Sequence, residues 1–464
     1  MLRALELLRE PIPAAKKAAL SARWAELPAE LQVGWQVVGR HFTHCGYTMG
    51  ASYCSFGCTH CYLPRNANQV PVPSFAEMKA QIDANFAAIG HAGNLQITGG
   101  DVVDAYVREG KVEELVAVIR YATERGVVPM LMTHGQRLLE YPQLLDRLVN
   151  EAGLRKVAIH VDLTQAGRPG FPLKQLRNEA DLHPLRENFV ELIHQVRERT
   201  GQAFFAAHTM TITERNLGDV GEVIRWLIAD RRRLDAFRMI SLQPEAEVGR
   251  TQSAAQRITP EQCWQELEAA VGMKLGQDNL WFGHPKCSHM VSILVLYPEK
   301  RLINLTLSDE VSRRYWSRLL DVVGGVGARG HDHFDANVRR LGLIARKPSI
   351  LWQTLSYARH RMREEKLSLF ELGRRLAGRN FGILNVVQHN FMSAEEIASR
   401  GPEVEARLAA CSFRGAVQRD GDWQMVPMCA MNGADREALY RARIEAAKAA
   451  AAAAALPLQN AAGG

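Results

Sequence analysis

Cys54-Ser55-Phe56-Gly57-Cys58-Thr59-His60-Cys61-Tyr62 is the stretch whose reading decides the fold. Its three cysteines fall at spacings of four and then three residues. That is too tight for a disulfide framework and one ligand short of a closed zinc site. A cubane iron–sulfur cluster takes four thiolates when it only carries electrons. Three thiolates in one short loop leave one iron open to another ligand. The competing reading is a zinc knuckle with His60 as fourth ligand. His60, however, lies between two of the cysteines, where it would strain a tetrahedral site. The two readings make different demands on the rest of the chain.

The 464 residues are 47% hydrophobic and 23% charged, as in an ordinary globular protein long enough for two or three domains. Nowhere do 18 apolar residues run together, and residues 1–10 carry charges among their apolar positions. No membrane span or signal peptide is therefore expected, and the chain reads as cytoplasmic. Eight cysteines, three of them clustered, suit a reducing compartment and metal chemistry. The formal net charge is +7, and residues 339–379 hold eleven basic side chains against three acidic ones. That segment suits lipid headgroups, RNA or an acidic partner, or else a solvated helix face; with no nucleic-acid motif beside it, DNA is not expected.

Residues 1–40 read as a helical lead-in broken by Pro11, Pro13 and Pro28. From 41 to 250 the pattern alternates. Strands are expected at 41–52, 95–98, 128–133, 156–162, 204–212 and 237–243. Helices are expected at 74–89, 111–125, 137–150, 185–199 and 217–228, the first opened by a Ser74/Glu77 capping box. Six such units imply an α/β fold, a parallel sheet curled into a partial (βα)6 TIM-like barrel. Polar residues gather at the strand ends: Thr98-Gly99-Gly100-Asp101, Thr133-His134, His160-Val161-Asp162 and Ser241-Leu242-Gln243. Barrel active sites lie at that rim. A zinc knuckle predicts no such pattern. Residues 251–440 are expected to form a mainly helical, cysteine-bearing extension that includes the basic helical segment 339–379, and 441–464 an Ala-rich disordered tail.

Over 41–250, about half of the chain, the cysteine spacing, the following tyrosine and the Gly-Gly-Asp rim resemble the radical S-adenosylmethionine (radical SAM) superfamily. The resemblance implies a 4Fe-4S cluster on Cys54, Cys58 and Cys61 whose open iron chelates SAM. It places Tyr62 near the adenine. Gly99 and Gly100 let the backbone approach the ligand, and Asp101 accepts from the SAM ammonium, one methylene shorter than the family's glutamate. His160 stands at the ribose position, or else pairs with Asp162 in the core, and Ser241 or Gln243 borders the SAM site. The activity implied is one-electron cleavage of SAM to a 5′-deoxyadenosyl radical that takes hydrogen from an unactivated C–H bond. Such an enzyme is an oxidoreductase or forms C–C or C–S bonds, and it draws electrons from a flavodoxin or ferredoxin.

Cys287, Cys411 and Cys429 form a second constellation. Their setting resembles the C-terminal part of auxiliary-cluster radical SAM enzymes such as the tetraether lipid synthase group, which implies a second iron–sulfur cluster. Its fourth ligand is left among Cys263, Cys45, His289 and substrate, with Cys263 and Cys45 better read as packing. Ordinary buried cysteines and a zinc site are the alternatives. For the substrate, the resemblance and the basic segment with Leu351, Trp352, Leu355 and Tyr357 point to a small molecule or lipid and to peripheral membrane contact. A peptide-modifying maturase is the nearest rival. A non-catalytic metal protein that binds RNA or a partner is the rival from another class.

Overall fold

The computed structural model describes residues 2–251, 258–277, 279–306, 309–326 and 333–455. The fold is mixed α/β: among the described residues eleven strands form one sheet, flanked by many helices. The strands are β1 (Cys45–Tyr47), β2 (Asn94–Ile97), β3 (Val128–Thr133), β4 (Lys156–His160), β5 (Phe205–Ile212), β6 (Phe237–Pro244), β7 (Ser288–Leu296), β8 (Arg301–Asn304), β9 (Phe381–His389), β10 (Phe413–Arg419) and β11 (Asp422–Pro427). Their order is β11-β10-β1-β2-β3-β4-β5-β6-β9-β7-β8. Strands β1 to β6 lie side by side in chain order and pair in parallel, as crossover helices require.

Local signals hold well. Ser74 and Glu77 form a reciprocal capping box on the helix Phe75–Ile89. The helix Val112–Arg125 ends at Gly126, whose φ of +93° is the left-handed conformation that stops helices. The single helix expected at 137–150 is instead two, Gln136–Glu140 and Pro142–Asn150. Pro142 lacks an N–H and keeps Tyr141 out of the helical region, at φ −128° and ψ 70°. The strand expected at 41–52 ladders only over Cys45–Tyr47. Beyond it the chain stays beside β2 through single bonds, Thr48 N–H to Gln96 O (3.0 Å) and Gly50 N–H to Thr98 O (2.8 Å).

Beyond residue 250 helices predominate, yet this region, expected to be mainly helical, also supplies the five strands β7 to β11. β9 pairs in parallel with β6, and β10 in parallel with β1. Antiparallel β7, β8 and β11 lie outside them. The open edges of β1 and β6 carry unpaired backbone groups, and the extension satisfies them. Segments such as Phe413-Arg-Gly-Ala-Val-Gln-Arg419 mix polar and apolar residues too evenly to announce a strand. In a flat sheet β10 and β9 would stand roughly 34 Å apart, seven spacings of about 4.8 Å. Instead the rings of Phe413 on β10 and His389 on β9 meet edge-to-face at 4.9 Å. The sheet therefore curls until its two parallel edges nearly touch.

The expectation of a disordered tail from 441 does not hold through 455. A helix spans Arg436–Ala455, with Tyr440 and Ile444 buried and Arg443 paired to Glu77 at 3.1 Å. Docking nucleates the helix and the alanines, the best helix formers, propagate it. Residues 456–464 lie outside the described residues.

Strand alternation sorts the two faces of the sheet. Leu95, Ile97, Leu131, Ile159, Ala206, Met210, Ile240 and Leu242 pack outward with Ile82, Ile119, Leu148, Phe189 and Ile224 of the flanking helices in the main core. The alternate residues face inward. Among the described residues, no helix is long and apolar enough to cross a membrane.

Candidate active site

Inside the curl lies a cavity of about 380 Å³. Its wall is made by every second residue of the central strands: Gln96 and Thr98; Met130, Met132 and His134; Ala158 and His160; Ala207, Thr209 and Thr211; Met239, Ser241 and Gln243. Large branched side chains fill the interior of a closed eight-stranded barrel. Here Ala158, Ala207, Thr209 and Ser241 are small, and the space stays open. Cys54, Cys58, Cys61, Tyr62, Gly99, Gly100, Asp101, His160 and Ser241, the whole proximal set expected from the sequence, line this one cavity.

The cysteine loop is held mainly by backbone contacts. Cys54 N–H donates to Asn68 Oδ1 (3.1 Å), and Asn68 Nδ2 donates back to Cys54 O (3.0 Å). Ser55 N–H donates to Asp104 (2.8 Å), and Gly57 N–H to Ala166 O (2.9 Å). Arg250 donates its N–H to Cys61 O (2.9 Å) and its guanidinium to Cys61 Sγ (3.2 Å). Burial, then nearby Asp101, pushes the Cys54 thiol up. Burial and Cys61 push Cys58 up to about 12. Thiols so placed ionise when a metal supplies the compensating charge.

Among the described residues, no three His, Cys, Asp or Glu side chains are arranged to hold a single metal ion. A cubane cluster asks for something else, because each of its thiolates binds a different iron. Three sulfurs at the rim of a cavity, one already accepting from an arginine, fit that demand. They fit a zinc knuckle less well. His60 has its Nδ1 at 2.8 Å from Thr59 Oγ1 and its Nε2 at 2.9 Å from the Glu245 carboxylate, so both ring nitrogens are taken.

The Gly-Gly-Asp rim has a structural duty that spacing did not reveal. Gly100 N–H donates to Ala51 O and Asp101 N–H to Tyr53 O, each at 2.8 Å. A Cβ on Gly99 would strike Ala51 O, and one on Gly100 would strike Ser52 O and Tyr53 O. The backbone that these glycines let approach is thus the chain leading into the cysteine loop. Asp101 is buried and caps the helix Val102–Arg108, accepting from Asp104 N–H (2.8 Å). Its other oxygen accepts from Thr133 Oγ1 and from His134 N–H, both at 2.6 Å. The carboxylate ties three segments of the rim together and retains little free acceptor capacity.

Tyr62 donates its hydroxyl to Gly99 O, and its ring lies 4.8 Å from the Arg436 guanidinium. His160 sits in the cavity wall with Nε2 at 2.6 Å from Asp162 and 3.2 Å from Thr211 Oγ1. The pairing with Asp162 weighed at the sequence level is therefore present. Burial opposes the Asp162 charge, but His160, Thr164 and the Thr211 N–H together hold its carboxyl down to about 2.

The distal cysteines also come together. Cys287, Cys411 and Cys429 line a small second pocket of about 20 Å³, and six of its lining residues, Ser288, His389, Phe391, Ser412, Phe413 and Met428, also line the main cavity. Arg407 donates from Nε to Cys287 Sγ (3.4 Å) and from Nη2 to Asn390 O (3.0 Å). Burial raises Cys287 to about 11 against the pull of Arg407. Burial and its two cysteine neighbours raise Cys429. None of the three side chains considered as fourth ligand joins this pocket: Cys263 is in the main core, Cys45 lines only the large cavity, and His289 lies 5.5 Å from the Trp264 ring. His389 does line it, with Nδ1 at 3.2 Å from Ser288 Oγ. Sequence reasoning missed Arg250, Arg407, Arg436 and His389, because arginines and lone histidines far along the chain carry no local signature.

No family model matches this chain, and no curated protein does. Among solved structures, one described as native anSMEcpe with bound AdoMet and Cp18Cys peptide is similar at a TM-score of 0.32 and 11% identity, over 49% of this chain and 58% of that one. The chain thus spans little more than half of that protein's length. A variant of NCR from Zymomonas mobilis is similar at a TM-score of 0.26 and 12% identity, over 52% of this chain and 82% of that one. At these scores neither likeness decides the fold or the chemistry.

Proposed function

We propose that this chain is a radical SAM enzyme whose six β1–β6 units form a partial (βα)6 barrel. The observation that carries this reading is the convergence of Cys54, Cys58, Cys61, the Gly-Gly-Asp rim and the polar strand ends on one cavity. Cys54, Cys58 and Cys61 would hold a 4Fe-4S cluster, and Cys287, Cys411 and Cys429 an auxiliary one. Bound with SAM, the first cluster supplies one-electron cleavage of SAM and a radical able to take hydrogen from an unactivated C–H bond. The chain's own residues bind, orient and exclude water. Gly99 and Gly100 fix the cysteine loop against the rim through the Ala51–Tyr53 backbone. Thr211, Ser241, Gln243 and His160 offer hydroxyl, amide and imidazole partners to a polar ligand at the strand ends. Met130, Met132, Met239, Met290 and Val387 add apolar side chains to the lining, which suit an apolar small molecule or lipid chain, beside the polar Asn94, Gln96 and Lys156. A flavodoxin or ferredoxin would supply the electron.

Anaerobic reconstitution followed by iron and sulfide counting tests this reading. Four irons per chain indicate the proximal cluster alone, and eight bring in the distal trio. Dithionite and SAM should then release 5′-deoxyadenosine. Full SAM cleavage by a Cys58→Ala variant would sink the proposal.

A further inference from the structure

The four most exposed large hydrophobic side chains among the described residues all fall between 341 and 376: Phe370 (82%), Trp352 (75%), Leu341 and Leu355. They belong to the helices His333–Arg346, Ser349–Glu364 and Leu369–Ala377. On Ser349–Glu364 the division is clean. Ile350, Tyr357 and Arg361 point inward, where Tyr357 stacks on Tyr315 at 4.2 Å and donates to Leu305 O at 3.0 Å. Leu351, Leu355, Arg359 and Arg363, spaced by four, lie on the opposite side with Trp352, and all five are exposed. Tyr357, grouped with the apolar residues at the sequence level, thus serves the inner face.

The basic residues divide in the same way. Arg361 pairs with Glu365 (2.9 Å), Arg375 with Glu299 (2.6 Å), and Arg339 and Arg346 bond backbone carbonyls of the N-terminal segment. Those four build the fold. Among the described residues, none of Arg359, Arg363, Lys366, Arg374 and Arg379 forms an ion pair within 4 Å, although Arg374 lends charge to the Glu299 that Arg375 pairs with, and all five are exposed. Unpaired cations beside exposed Trp, Phe and Leu match what a lipid interface selects: apolar side chains enter the acyl boundary while basic side chains meet the phosphates. Among the described residues, four of the six exposed large hydrophobic side chains between 341 and 376 are leucines, which cannot stack on bases as an RNA-binding face requires.

We infer that this helical face docks the protein on an anionic bilayer, Trp352, Phe370 and Leu355 entering the interface and Arg359, Arg363, Lys366, Arg374 and Arg379 meeting the headgroup phosphates. The inference is independent of the radical chemistry proposed above, so the full chain serves with or without its clusters. Flotation with phosphatidylcholine vesicles, with and without a minority of phosphatidylglycerol, tests it. The wild-type chain should float only with the anionic vesicles and should lose them as salt is raised. Arg359→Glu with Arg363→Glu should weaken binding roughly tenfold or more, as should Trp352→Ala with Phe370→Ala. Because these side chains are exposed, the melting curves should not move. If a double variant does not fold, Trp352→Phe decides: vesicles should blue-shift the wild-type tryptophan emission and leave the variant's unmoved. Equal flotation with neutral vesicles, unchanged binding by both variants, or tighter retention of an RNA homopolymer than of anionic vesicles would overturn the inference.

Discussion

The guanidinium of Arg250 donates to the sulfur of Cys61 across 3.2 Å, while its own backbone N–H holds the Cys61 carbonyl at 2.9 Å. A donor on a ligating sulfur favours the more negative, reduced state of a cluster. Arg250→Met should therefore lower the midpoint potential of the reconstituted proximal cluster. One charge-assisted hydrogen bond, about 1.5–3 kcal/mol, corresponds to at most about 65–130 mV in a one-electron couple. A titration followed by electron paramagnetic resonance measures it. An unchanged potential would show that the contact plays no part once the cluster is bound.

Gly100 should be sensitive to alanine and Gly57 indifferent to it. A Cβ on Gly100 collides with Ser52 O and Tyr53 O, whereas one on Gly57 meets nothing within 4 Å. Gly100→Ala should cost about 1–3 kcal/mol by overpacking and reduce iron retention, because the rim and the cysteine loop move together. Gly57→Ala should leave the melting temperature in place. Thermal melts of the two variants side by side check the contrast.

Removing the Asp101 carboxylate should be felt as instability before it is felt as weak SAM binding. Asp101→Ala deletes a helix cap and leaves Thr133 and His134 with buried, unpaired donors. The cost should be about 2–4 kcal/mol. Denaturant unfolding gives the number. Wild-type stability combined with lost SAM affinity would instead assign Asp101 to the ligand.

Acid should destabilise the fold through its buried imidazoles. Burial, then Arg414 and Arg23, lowers His44 to about 3, and among the described residues neither ring nitrogen has a hydrogen-bond partner. The unfolded chain takes up a proton near pH 6.5 and the folded one does not. The stability is therefore complete above about pH 6.5 and drains away as the pH falls towards 3. At pH 5 one such group accounts for about 2 kcal/mol. His44→Phe should flatten that part of the curve, read as melting temperature against pH. His208, also lowered by burial and Arg186, adds to the same slope.

What was legible in the sequence was whatever local chemistry writes down. The Ser74 cap, the Gly126 stop and the apolar run of β3 each sit within a few residues, and each holds. The convergence of Cys287, Cys411 and Cys429 was also legible, because cysteine is scarce enough for a grouping to be guessed. The partners of those groups were not. Arg250 and Arg407 reach their sulfurs from segments that only the finished fold brings near. Nor was the bracing role of Asp101 legible, because its three hydrogen-bond donors lie on the helix Val102–Arg108 and at the end of β3. β9 and β10 went unread because their pattern is set by the edges they complete rather than by their own periodicity.

The pairing of Cys45 with Phe413 also sets a timetable. At a synthesis rate of about 5–20 residues per second, the strand that leads into the cysteine loop spends on the order of tens of seconds with its outer edge bare before β10 emerges. Arg436, which lies over Tyr62, arrives later still. The cysteine loop is thus among the first parts of the chamber to be made, and its last wall among the final ones. A chain cut short of Phe413 would keep Cys54, Cys58 and Cys61 but not their enclosure. Delivery of iron during translation would meet an open trough rather than a closed room.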